Sequence, residues 1–270
     1  MMPIDLIFVR HAQSEGNAAV HLAKAGDDKA YTKEFIARHS SEWRLSEVGI
    51  KQAKQAGEFL RDYSPSFDRY YVSEYLRTLE TAGYLELKGA SWKQEFLLRE
   101  RDRGDIDTTP VIENKLNFLK SLEKKEAQSF YWRPPNGESM ADLCIRADRF
   151  LQTLHRECGD KKVLVVSHGE TMWAFRMRLE RLTQEEWRRL DESRDPKDRI
   201  NNCQILHYTR RDPKTGELAP YLNWIKSICP TRNDWSWEDW KTIERQTFSN
   251  EDLLAKVNRY PRLFHESYGE

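Results

Sequence analysis

The sequence predicts an α/β fold, three layers (α/β/α) built on a mostly parallel central sheet. Three observations carry that prediction. The run Leu6-Ile7-Phe8-Val9 has no internal Gly or Pro and reads as a strand buried on both faces. Lys162-Val163-Leu164-Val165-Val166-Ser167 repeats the pattern far downstream. Between and after these two strands, helical and strand-like stretches alternate, as in sheets covered by helices on both faces. Each of the two strands ends on a histidine, Arg10-His11 and His168-Gly169-Glu170. Open α/β sheets bind ligands just beyond the carboxyl ends of their strands, so both imidazoles arrive where such a fold places chemistry.

The elements follow in order. After the polar turn Ala12 to Asn17, residues 18–43 are rich in Ala, Lys and Glu and read as a helical insertion, a wall of the substrate pocket or a surface helix packed by Trp43. Ser46 caps an amphipathic helix through Ile50, Ala53, Ala56, Gly57 and Leu60 that runs to about Asp62. Phe67 to Ser73 is the second strand, and Tyr75 to Leu87 a helix with Arg77 in its first turns and Gly89 beyond its end. A third strand is expected over Lys93 to Leu98, with Glu100 just past it. The stretch 104–137 is the least regular and holds an expected helix from Glu113 to Glu126 and the turn Phe130 to Pro135. Ser139 with Asp142 opens a long helix to Glu157. Helices are expected over Thr171 to Leu182 and Gln184 to Ser193, and Cys203 to Tyr208 is expected to be the last core strand. From Pro230 the composition shifts to a charged tail carrying Trp235, Trp237 and Trp240, suited to packing on the core, to lidding a pocket, or to an oligomer contact such as a homodimer.

Composition narrows the function classes. Lys+Arg and Asp+Glu both number 44, so net charge gives no support for nucleic acid or an anionic membrane as partner. A charged fraction of 33% fits a solvated surface. No apolar run approaches the ~18–20 residues that cross a bilayer, and the N-terminus shows no signal-peptide pattern, so a cytoplasmic location is expected. Cys144, Cys158, Cys203 and Cys229 have neither metal nor disulfide spacing and read as buried free thiols.

A lone histidine after a strand is ordinarily a core residue. Here, six ordered segments add to it. Arg10-His11-Ala12-Gln13-Ser14-Glu15-Gly16-Asn17 resembles the Arg-His-Gly motif of the histidine phosphatase superfamily, which includes the cofactor-dependent phosphoglycerate mutases. Arg44 to Gly49 with Gln52-Ala53, Ser73 to Ala82 around Arg77, Leu98 to Arg101, Pro135 to Ser139, and Ser167-His168-Gly169 look like the family's further segments. The resemblance covers about residues 4 to 210. It implies a phosphoglycerate mutase-like fold over 1–229, with the insertion 18–43 and a short cap at 104–137, followed by the extension 230–270.

The same resemblance implies the chemistry. His11 would be the nucleophile through a neutral ring nitrogen, forming a phosphohistidine. Arg10, Arg77 and His168 would hold the phosphoryl oxygens, with Asn17 and the Gly169 amide as further contacts. Glu100 would be the general acid, its pKa raised by burial. Arg101 and Arg103, beside Arg99, would read the rest of an anionic substrate, or form a solvated charged edge. No metal or other cofactor is implied. Ala12 replaces the usual glycine, tolerable where the backbone needs no positive φ. Two further departures favour a phosphatase of small phosphomonoesters over a mutase: Arg103 stands where mutases carry Tyr, and the long mutase excursion shrinks to a stretch with Arg133 alone. The alternatives are phosphoglycerate mutase-type transfer and a non-catalytic phosphate-binding scaffold.

Overall fold

The computed structural model of the chain describes residues 1–106 and 128–263. The helix expected over Glu113 to Glu126, and with it most of the 104–137 cap, lies outside the described residues. Among these, seven strands form one sheet in the order β3-β2-β4-β1-β5-β6-β7. Strands β1 (Asp5–Arg10), β2 (Arg69–Val72), β3 (Trp92–Gln94) and β4 (Lys162–Ser167) run parallel, while β5 (Ile205–Thr209), β6 (Trp224–Ile228) and β7 (Lys241–Thr242) continue the sheet antiparallel.

Side chains alternate across a strand, so β1 and β4 each feed two cores. Leu6, Phe8, Val163 and Val165 point to one face, where α5 (Met140–Glu157) and α6 (Gly169–Glu180) bring Leu143, Phe150, Leu154, Met172 and Phe175. Phe8 and Phe175 stack there with ring centroids 4.6 Å apart. Ile7, Val9, Leu164 and Val166 point to the other face, against Ala53, Ala56 and Leu60 of α3 (Glu47–Tyr63) and Ala82 of α4 (Leu76–Tyr84). Both faces of the sheet are therefore covered, which is why its central strands read as unbroken apolar runs.

The helix starts follow their caps. Ser46 accepts from Gly49 N, and Ser14 and Ser139 form reciprocal capping boxes with Asn17 and Asp142. The insertion is not one helix but two, α1 (Glu15–Lys24) and α2 (Lys33–Ala37), then a 3₁₀ turn at Ser40–Glu42. Trp43 stacks on Phe35 and covers Gly16, which has no room for a Cβ beneath the indole.

Two expected strands are corrected. The third strand stops at Gln94: Glu95 accepts from Leu97 N with its side chain, and this cap turns Phe96–Leu98 into a 3₁₀ helix that buries Leu98. Cys203 adopts φ of 57°, a left-handed conformation no strand residue takes, so the fifth strand begins at Ile205. That strand is also not the last. Trp224–Ile228 and Lys241–Thr242 add two more, the latter from within the Trp-rich tail. Trp237 is buried and its indole N–H donates to Lys197 O, while Trp240 meets the His207 ring edge-on at 4.8 Å. The helices α7 (Gln184–Asp191) and α8 (Asn250–Val257) complete the described chain. No described helix is long and apolar enough to cross a membrane, and all four cysteines are free and buried.

Helix α3 packs its Gly57 directly on the backbone carbonyl of Leu85, so a Cβ there has nowhere to go without moving main chain. Gly57→Ala is expected to destabilise the protein by ~1–3 kcal/mol through overpacking, despite alanine's better helix propensity; a urea midpoint at or above that of the unaltered protein would refute the close approach.

Candidate active site

Register delivers the site. In the parallel β1·β4 pair, Arg10 lies opposite Ser167, so His11 and His168 leave adjacent strands side by side. His11 N donates to Ser167 O at 2.9 Å, and the two imidazole centroids are 5.2 Å apart. Both rings are buried.

The tautomer of His11 follows from its neighbours. Nδ1 lies 2.7 Å from Ala12 O, a carbonyl that only accepts, so Nδ1 carries the proton. Nε2 accepts from Arg77 Nε at 3.2 Å, a guanidinium that only donates. His11 is thus neutral, with its Nε2 lone pair directed at Arg77. Burial, reinforced by the charges of Arg77 and Arg10, holds its pKa well below the usual imidazole value. His168 is pushed down the same way, by burial and then by Arg77, His11, Arg146 and Arg10. Its Nε2 pairs with Ser73 Oγ at 2.8 Å, and its buried Nδ1 has no hydrogen-bond partner.

The cations are braced from behind. Arg77, buried in the first turn of α4, donates through Nη1 to Ser40 O at 2.6 Å and lies over the Tyr75 ring. The insertion therefore shapes the site through a backbone carbonyl. Arg10 Nη1 donates to Ile200 O at 2.7 Å, leaving its buried Nε unpaired. A Cβ on Gly169 would approach that Nε to 3.2 Å, so the glycine lets the guanidinium lie against the start of α6.

Glu100 reaches the same space. Its Oε1 accepts from Arg101 N and from the Thr171 amide and hydroxyl, and burial together with the nearby charge of Glu170 raises its pKa. The loop bearing it is held by Arg146 of α5, whose guanidinium donates to the carbonyls of Leu97, Arg99 and Glu100 and pairs with Glu138.

Of the residues selected from sequence, His11, His168, Arg10, Arg77, Glu100 and Gly169 converge. Asn17 sits at the edge: its Oδ1 accepts from Ser14 N and from Asn202 Nδ2, which also donates to His11 O. Arg101 is buried, donating to Glu138 O and Trp132 O, and the half-exposed Arg103 pairs with Glu170 at 2.8 Å. Sequence reasoning missed Ser73, Thr171, Asn202, Ser40 and Arg146. Of these, Ser73 stood inside a quoted motif, as did Glu138, the partner of Arg146, whereas Asn202 and Ser40 carried no local signal.

The donor atoms of His11, Glu100 and His168 lie within 4.8 Å of one another, a spacing a metal ion can use. Arg10 and Arg77 share that space and repel a cation. Two guanidiniums, an imidazole lone pair and a buried carboxylic acid suit a tetrahedral anion instead.

Comparison with known proteins agrees with this chemistry. The family model for the histidine phosphatase superfamily (branch 1) matches residues 6–196. A phosphoglycerate mutase-like protein from Arabidopsis thaliana is 26% identical over 251 residues, 82% of this chain and 74% of its own. A 2,3-bisphosphoglycerate-dependent phosphoglycerate mutase from Rhizobium etli is 30% identical over 184 residues, 66% of this chain and 81% of its own. Among solved structures, a mycobacterial glucosyl-3-phosphoglycerate phosphatase complexed with VO3 superposes with a TM-score of 0.58 at 21% identity, over 76% of this chain and 90% of its own.

Two predictions follow from the electrostatics and the bracing. Both histidines bind protons more weakly folded than unfolded, so stability is retained above the unfolded value of ~6.5 and falls as pH drops below it, by up to ~1.4 kcal/mol per pH unit for each. Glu100, with its raised pKa, acts in the opposite sense and opposes folding as pH rises above the ordinary carboxylate range. Urea titrations from pH 7 to 5 should show the loss, and His11→Asn should flatten it; an unchanged slope would mean that His11 is not buried neutral. Arg146→Met removes the donor from three loop carbonyls and leaves Glu138 with Arg99 and the Asp102 amide, and should cost ~1–3 kcal/mol, read in the same titrations at pH 7; a cost under ~1 kcal/mol, as for an exposed pair, would contradict the bracing role.

Proposed function

Since this chain belongs to the histidine phosphatase superfamily (branch 1), we propose that it is a metal-independent phosphatase that hydrolyses a small phosphomonoester through a phosphohistidine on His11. The observation carrying the proposal is the fixed tautomer: Nδ1–H on Ala12 O puts the lone pair on His11 Nε2, where it meets Arg77 Nε–H, a donor that a phosphoryl oxygen would draw away as Nε2 turns to phosphorus.

In the first half-reaction, His11 Nε2 attacks phosphorus in line with the ester oxygen. Arg10, Arg77 and His168 neutralise the equatorial oxygens, the unpaired His168 Nδ1 and Arg10 Nε being groups that an oxyanion would meet. Glu100 gives its proton to the departing alkoxide, for which a raised pKa is the requirement. In the second half-reaction, the ionised Glu100 takes a proton from water as its oxygen attacks the phosphohistidine, and phosphate leaves with His11 neutral again. Asn17 and the Gly169 amide border this space as secondary contacts.

Hydrolysis of p-nitrophenyl phosphate in EDTA should survive chelation and vanish in His11→Ala; equal turnover in both proteins would remove His11 as nucleophile. Glu100→Gln should slow an alkyl phosphate by ~10²–10⁴ yet slow p-nitrophenyl phosphate far less, because nitrophenolate departs without a proton. Equal losses on both substrates would exclude Glu100 as the acid.

Phosphoglycerate mutase-type transfer is the second reading, favoured by the mutases among the relatives. Net interconversion of 2- and 3-phosphoglycerate faster than phosphate release would establish it over hydrolysis.

A further inference from the structure

A cavity of about 390 Å³ opens beside Glu100, large enough for a ligand well beyond glycerate in size. Its position follows from chain connectivity. Arg101, in its wall, directly follows Glu100, and Glu170, also in its wall, directly follows Gly169. The charge of Glu170 acts on Glu100, so an ester whose oxygen takes the Glu100 proton would extend toward this cavity.

The walls are charged but balanced. Among the described residues they hold three arginines, Arg101, Arg103 and Arg188, and three acids, Glu170, Asp191 and Glu192. Arg103 pairs with Glu170 at 2.8 Å, and Arg188 with Glu192 at 2.8 Å. Arg101 donates to the carbonyls of Glu138 and Trp132 and lies 3.7 Å from Glu170. Each cation is thus already answered by oxygen. Two indoles complete the walls: Trp132, under Arg101, and Trp187, whose buried Nε1–H has no hydrogen-bond partner.

We propose that this cavity selects phosphomonoesters of neutral, polyhydroxylated alcohols and discriminates against esters that carry a second anion, an inference that rests on the phosphatase reading above. A carboxylate only accepts hydrogen bonds, so entering here it competes with the acids already paired to Arg103 and Arg188 and meets the repulsion of Glu170, Asp191 and Glu192. A hydroxyl both donates and accepts, and it fits between a paired arginine and carboxylate without separating them. The Trp187 N–H is buried without a partner, and a ligand hydroxyl that reached it would satisfy it. The indole walls suit the C–H surface of a polyol or sugar ring.

The test is a matched pair on the full-length protein: glycerol 3-phosphate and 3-phosphoglycerate, which differ by a hydroxymethyl against a carboxylate at one carbon, with a hexose monophosphate as the larger probe. Expected is a kcat/KM at least about tenfold higher for glycerol 3-phosphate than for 3-phosphoglycerate, and higher again for the hexose ester. Glu170→Gln, which releases Arg103 and Arg101, should bring the ratio of the pair toward one; taking a ratio cancels any common effect on Glu100. Trp187→Phe should raise KM for the hexose ester with kcat little changed. A ratio at or below one in the unaltered protein overturns the proposal. Turnover of p-nitrophenyl phosphate that depends on His11 separates that failure from failure of the phosphatase reading, whose loss would take this inference with it.

Discussion

Four basic side chains share one buried space in this protein, and that crowding is tolerated because two of them are uncharged. Arg10 and Arg77 keep their charge, held by the carbonyls of Ile200 and Ser40. His11 and His168 give theirs up, since burial and the guanidiniums together make protonation unfavourable. The consequence is chemical as well as energetic. A neutral imidazole whose second nitrogen is tied to Ala12 O has a defined lone pair, as the proposed nucleophile requires, and the cations that suppress its protonation are those an oxyanion would meet. The same constraint carries a stability cost in acid, where the unfolded chain takes up protons that the folded site refuses.

The rest of the structure arranges this site from a distance. Parallel register in β1·β4 places the histidines together with no loop to adjust. The loop bearing Glu100 departs from β3 through a 3₁₀ turn and is clamped by the Arg146–Glu138 pair. The insertion reaches Arg77 through Ser40 O, and Trp43 fixes that turn against Gly16. In the cavity lined by Arg101 and Glu170 the surroundings change character: paired charges and indoles replace the unpaired donors beside the histidines.

Much of this was legible in the sequence because it is local. Strands β1 and β4 are continuous apolar runs, and the residue after each strand is necessarily at its carboxyl end, so Arg10, His11 and His168 could be located without coordinates. The caps at Ser46 and Ser139 announced their helices. What failed depended on partners distant in sequence. The run Lys93 to Leu98 reads as one strand, but the side chain of Glu95 turns it after Gln94. Cys203 looks strand-like and is left-handed. Asn202 belongs to the site only because it bridges His11 O and Asn17. The tail's aromatic residues suggested several uses, and nothing local revealed that Lys241–Thr242 pairs with β6 and that Trp237 is buried against the loop at Lys197.

The measurement that bears most directly on the central claim is capture of the covalent intermediate. Mixing the protein with a reactive phosphomonoester, quenching in alkali within a turnover and mapping the modified peptide by mass spectrometry should find phosphate on His11, stable in base and lost in acid. Turnover without any phosphorylated protein, or phosphate carried by a residue other than His11, would contradict the neutral-histidine nucleophile on which this description of the site rests.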